Sequence, residues 1–221
     1  MHLIAVMSFL LSMLGAGRSL VRPFTRPVHA GSRRYCAAAP VTPPAAPAAP
    51  ATPEAAVTEL SRLEIRVGKI VEISKHPEAD SLYVEKVDMG EAEGPRTIVS
   101  GLVAFCTAEQ LLNSNVVVLC NLKPRPLKGI TSYGMLLCAS NKEHTEVEPL
   151  VVPAGAKIGE LITFVGHKPE PEAPGNRASK AFSKVAEELF VDDGGLATFA
   201  GTPFMTAAGP ITSSMKKGSI S

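Results

Sequence analysis

Between Leu63 and Ile73 the chain reads LEIRVGKIVEI, with Leu63, Ile65 and Val67 alternating against Glu64, Arg66 and Gly68. A period of two marks a strand with one buried and one wet face. The parity then slips, because Ile70 and Val71 are adjacent. The slip predicts a bulge or sharp bend at Gly68, a device that lets one strand serve two sides of a small barrel. Four more short apolar runs, 81–90, 95–101, 115–121 and 134–140, are each bounded by turn residues. Residues 107–113 interrupt them with a helical turn for which Thr107 is the N-cap. Short, strongly bent strands with one short helix after the third predict a mainly β fold, an OB-type five-stranded barrel over 60–166.

Charge divides the chain. Residues 1–53 contain Arg18, Arg22, Arg26, Arg33 and Arg34 and no acid. That leaves 17 basic residues against all 21 acidic ones, so the body carries about four net negative charges. An acid-free, arginine-bearing segment rich in Ser and Ala has the composition of an organellar targeting peptide, read here over 1–36. RRYCAAAP at its end resembles a matrix-protease site, which places mitochondrion ahead of plastid and secretion third. Residues 37–59 are largely Pro and Ala and form a semi-rigid linker.

Beyond 166 the composition changes. Residues 177–190 read as a helix with Ala178, Phe182, Val185 and Leu189 on one face. Two short strands around a turn at residues 201–203 follow, and this C-terminal α+β extension, 167–221, is too small to fold alone and is expected to pack on the barrel. Cys106, Cys120 and Cys138 form no C-x-x-C pair and read as buried thiols.

The densest local charge in the body lies in CNLKPRPLKGITSYGM, residues 120–135, where Lys123, Arg125 and Lys128 are spaced by Pro124 and Pro126. Two prolines restrict the backbone, so cations held there lose little entropy when they grip phosphates. A local cluster suffices for anion binding even on an acidic body. Asn121 and Ser132 flank the cluster with neutral hydrogen-bonding groups suited to a ribose 2′-hydroxyl, Tyr133 is suited to stacking, and Met135 to packing beneath a base. Arg66, Lys69 and Arg96 are secondary candidates for backbone contact. His76, Pro77, Asp80 and Ser81 read as turn residues between the first two strands.

Four segments, residues 63–91, 96–102 (RTIVSGL), 117–124 (VVLCNLKP) and 134–140 (GMLLCAS), resemble one family. It is the tRNA-binding domain shared by endothelial monocyte-activating polypeptide II, a yeast synthetase cofactor, and C-terminal extensions of some methionyl- and tyrosyl-tRNA synthetases. The resemblance implies an OB fold, and for the tail, with LATFAGTPF at 196–204, a region that mimics the second subunit of a dimeric relative and yields a monomer. It implies structure-directed binding of tRNA in trans with an aminoacyl-tRNA synthetase, without catalysis; no cofactor, no metal and, in the mature form, no membrane are expected. It supports Asn121, Lys123, Ser132 and Met135 as motif positions, whereas Tyr133 stands where relatives often carry glutamine. A cytokine-like secreted module of the same family and a general single-strand binder are the alternatives. No Walker loop, H-E-x-x-H helix or G-x-S-x-G elbow occurs in the chain.

Overall fold

The computed structural model describes residues 57–221; the expected targeting segment and nearly all of the expected linker lie outside the described residues. After a 3-10 turn at Leu60–Arg62, the alternating run becomes one long strand, β1 (Ile65–His76). β2 (Ala79–Asp88), β3 (Arg96–Ser100), the single-turn helix α1 (Ala108–Leu111) and β4 (Asn115–Leu119) follow. Thr107 caps α1 as the sequence predicts, in a reciprocal box with Gln110. β5 (Arg125–Leu127) and β6 (Ile130–Ser132) form a separate hairpin. β7 (Met135–Leu136) completes a five-stranded sheet of order β3-β2-β1-β4-β7. Tyr133 N–H donates to Thr97 O at 2.9 Å, joining the two ends of that sheet into the OB-type barrel.

β1 reaches two partners by its length. Residues 65–69 pair antiparallel with β4, and residues 69–76 with β2. The bulge falls at Val71, between Ile70↔Val87 and Glu72↔Lys86, and not at Gly68, which holds unbroken register with Val116. The apparent slip has a different cause. Ile65 and Val67 enter one core while Ile70 enters another, so the strand is buried on both faces. Gly68 lies on the barrel side, where a Cβ would come within 2.6 Å of both Met89 Sδ and Val87 Cγ1. β4 obeys the same rule: Val116 and Val118 fill the barrel, Val117 and Leu119 the second core.

The second core is roofed by the extension. Residues 134–140 divide at Leu137, whose N–H donates to Val117 O at 2.9 Å; beyond it β8 (Cys138–Ser140) and β9 (Val147–Pro149) leave the barrel sheet. The extension supplies α2 (Asn176–Val185), β10 (Leu189–Val191), β11 (Ala197–Phe199), β12 (Thr202–Pro203), the small hairpin of β13 (Met205–Thr206) and β14 (Gly209–Pro210), and β15 (Ser219–Ile220). A six-stranded sheet, β12-β11-β10-β15-β8-β9, crosses from extension to barrel segment without a seam. The expected helix over 177–190 therefore stops at Val185, because Leu189–Val191 is recruited to pair with β11 and β15. The tight turn sits at Ala200 and Gly201, both left-handed at φ 47° and 82°, one step before the expected position. Glu148 clamps the tail to β9: its carboxylate accepts the Ser213 and Ser214 hydroxyls and the Ser214 and Met215 N–H groups. Burial alone would raise that carboxyl, but these four donors hold it below its ordinary range.

One charge lies inside the barrel. Glu85 is fully buried between its strand partners Ile73 and Ile98, with Oε1 accepting the Ser100 hydroxyl at 2.7 Å and Oε2 unpartnered. Burial pushes this carboxyl up to about 7, although the Ser100 bond opposes the shift. The folded value lies above the unfolded one, so its stabilising proton is fully held below pH 4.5 and lost as pH rises through about 7. Glu85→Gln is expected to remove that dependence: the drop in unfolding free energy from pH 5 to pH 8 shrinks by about 2.5 kcal/mol, read by urea titration at both pH values.

Candidate nucleic-acid interface

The basic run at 120–135 is a built hairpin. Arg125 faces Ser132, Pro126 faces Thr131 and Leu127 faces Ile130. Lys128 and Gly129 make the turn, both left-handed at φ 47° and 86°, the backbone of a two-residue turn that suits the strand twist. Pro126 is tolerated because a two-stranded ribbon has free edges where a missing N–H costs little.

Both ends of the hairpin are pinned. At its base the Ser132 hydroxyl accepts Val99 N–H at 3.0 Å and donates to Gly134 O at 2.9 Å. Near its tip buried His76 donates through Nε2 to Leu127 O at 3.2 Å, its ring held by Glu78 N–H donating to Nδ1 at 3.0 Å. The lead-in is fixed as well, since Lys123 N–H donates to the Ser179 hydroxyl of α2 at 3.1 Å. On this frame Lys123, Arg125 and Lys128 are all exposed, and among the described residues none of them enters an ion pair. No carboxylate within ion-pair distance offsets them.

Other predicted contact residues have different duties. Asn121 is fully buried: Oδ1 accepts Glu64 N–H at 3.0 Å, and Nδ2 donates to Arg62 O at 2.8 Å and Glu172 O at 3.0 Å. Its amide has no group left for RNA, and it joins three chain segments instead. Ser132, also buried, is an anchor of the hairpin rather than a contact. Met135 is half-buried and packs against the core beneath the extension.

Arg96 is spoken for by Glu91. Its Nε and Nη2 donate to the two Glu91 oxygens at 2.6 and 2.5 Å, and Nη1 donates to Cys120 O at 2.8 Å. That pairing, against the opposing effect of burial, raises the guanidinium's already high pKa. Arg66 Nε lies 2.7 Å from Glu64 Oε1 and Nη1 donates to Gly159 O at 3.4 Å. Both arginines thus serve as matched charges, yet they border the hairpin, lining a cleft with Pro124 and Tyr133. Lys69 lines a different cleft, with Phe105 and Glu148. The Cys120 and Cys138 thiols are buried and pushed up to about 12, so they stay protonated. His76, Glu91 and Ser179 escaped the sequence reading of the interface. Only the HP dipeptide after β1 signalled anything, and it signalled a turn.

The fold is thus a bent OB-type barrel that carries a pinned cationic hairpin and a fused α+β roof. Residues 65–161 match the putative tRNA binding domain family. The chain is 34% identical to the C-terminal domain of p43 from Plasmodium vivax, with a TM-score of 0.68 over 73% of this chain and 98% of that one. It is 49% identical over 150 residues to a probable methionine–tRNA ligase of Oryza sativa, and 47% identical over 163 residues to the cytoplasmic tyrosine–tRNA ligase of Xenopus laevis. Those matches take in 68% and 72% of this chain but 19% and 31% of the ligases. The chain belongs to the tRNA-binding domain family.

Because Asn121 satisfies three buried or half-buried main-chain groups at once, Asn121→Ala is expected to destabilise the protein by about 3 kcal/mol. Chemical denaturation checks the magnitude.

Proposed function

We propose that this protein is a non-catalytic tRNA-binding module that holds the folded RNA by its phosphate backbone and acts in trans with an aminoacyl-tRNA synthetase. One observation carries the reading: three cations without an ion pair among the described residues, Lys123, Arg125 and Lys128, project from a hairpin fixed at base and tip. Membership of the tRNA-binding domain family supports it, as does the presence of this region within two proteins named as tRNA ligases. A fixed array of charges favours a particular arrangement of phosphates, which is the basis for choosing a folded RNA over a flexible one. The function asks for no bond to be made or broken. The acid-free arginine segment at 1–36 supports action inside an organelle, with mitochondrion ahead of plastid.

Each phosphate neutralised releases counterions, so affinity should fall steeply with salt. Replacing Lys123, Arg125 and Lys128 together by alanine is expected to weaken tRNA binding at least tenfold at roughly 50 mM salt and to lower the logarithmic salt slope by about 2 to 3. A filter-binding titration of the full chain at several salt concentrations measures both, and unchanged binding by the triple variant would remove the reading. For location, residues 1–60 fused to a fluorescent protein are expected to enter an organelle; entry into the secretory pathway would favour the cytokine-like alternative.

A further inference from the structure

Beside the hairpin runs a cleft of about 790 Å³, within the range of small-ligand sites. Its lining includes Pro95, Pro124, Pro174 and Tyr133 together with the Arg96–Glu91 pair. Tyr133 is unusual among the aromatic residues. The residue is 50% exposed, and among the described residues its side chain pairs with no other ring and makes no hydrogen bond, whereas its main chain is pinned through Thr97 O and Arg96 Nη1. An exposed aromatic face on a fixed backbone is a ready stacking surface.

Charge decides what such a cleft accepts. Arg96 and Arg66 are already matched by Glu91 and Glu64, and exposed Glu93 adds negative charge at the lining. A phosphate would find no unmatched cation inside, while three stand free on the adjoining hairpin. A neutral planar group suffers no such penalty. Pro124 belongs to the cleft wall and sits between Lys123 and Arg125, so a strand whose phosphates lie on the hairpin delivers its bases to the cleft.

We infer that Tyr133 and this cleft take one unpaired nucleobase of the RNA whose backbone the hairpin grips. The inference rests on the tRNA-binding reading and assigns a division of labour within it: cations hold the strand, and the tyrosine ring selects a splayed-out base. It is particular to this chain's tyrosine and its proline-walled cleft. The consequence is a preference for RNA with unpaired, accessible bases over a continuous duplex.

The test uses the full chain, a tRNA transcript and a fully paired RNA duplex of equal length. Tyr133→Ala is expected to weaken tRNA binding about tenfold with an unchanged salt slope, and to leave duplex binding unaltered. Tyr133→Gln, which keeps a side chain of comparable reach but no ring, should match it; Tyr133→Phe should bind within about twofold of the parent. None of the three removes a bond of the fold, and equal unfolding midpoints check this. Parental tRNA affinity in Tyr133→Ala, beside a loss in the Lys123/Arg125/Lys128 triple variant, would sink the base subsite and spare the hairpin. Loss in Tyr133→Phe as large as in Tyr133→Ala would also overturn it, since the hydroxyl rather than the ring would then be responsible. Silence of the triple variant would instead take away the reading beneath, and the subsite with it.

Discussion

The buried amide of Asn121 is the constraint on which the rest of the molecule hangs. Its side chain ties the approach to β1, the exit from β4 and the segment leading into α2, and the main-chain carbonyl of Asn121 accepts Gly175 N–H at 3.1 Å. A buried amide left unpaired costs free energy comparable to a lost hydrogen bond for each group, so such a node is all-or-none. Barrel and extension meet there, and the basic hairpin begins four residues later at Arg125. The placement of Lys123, Arg125 and Lys128 is thereby linked to the docking of the C-terminal extension. The Lys123–Ser179 bond makes the link direct.

That linkage explains why the extension belongs to the same module as the barrel. A small barrel normally presents a wet outer face, but here β1 and β4 are buried on both sides, and the second face would be exposed apolar surface without the roof. Main-chain pairing of β15 with β8 and the Glu148 clamp on 213–215 hold the roof by polar contacts of fixed geometry. Hydrophobic burial stabilises the contact; the hydrogen bonds set its register. The hairpin inherits a rigid base from both.

Local features were legible in the sequence to the extent that they depend on local physics. Alternation exposed the strands, Thr107 announced α1, and the adjacency of Ile70 and Val71 correctly signalled an irregularity. Its position was misread because adjacency of apolar residues has two causes, an inserted residue and burial on both faces, and β1 contains both. The unbroken NVVVL run of β4 carried the second cause in plain view. Asn121 could not be read, since its partners lie 51 to 59 residues away in chain order and an asparagine beside a lysine cluster looks like a polar contact. Arg96 and Arg66 were overvalued because their charges are cancelled by Glu91 and Glu64 through turns and strand neighbours, which spacing does not encode. The Lys128–Gly129 turn was hidden by Pro126, a residue that usually argues against a strand. The helix end at Val185 was overrun because Leu189 continues the helical period while strand pairing claims it.

On the proposed tRNA-binding reading, a body with net negative charge has to concentrate its attraction for a polyanion in one place. Scattered lysines would be offset by the surrounding acids within a Debye length of about 8 Å at physiological salt. Three cations without an ion pair on a stiff ribbon, beside arginines paired to Glu91 and Glu64, concentrate that attraction in the proposed function. On that reading exposed Glu93 would disfavour a phosphate placed off the hairpin. Affinity from so few contacts depends on their being positioned before the RNA arrives, and the pins at Ser132 and His76 supply that preorganisation. Loosening either pin should weaken recognition without removing a single charge, which separates geometry from charge as the source of selectivity.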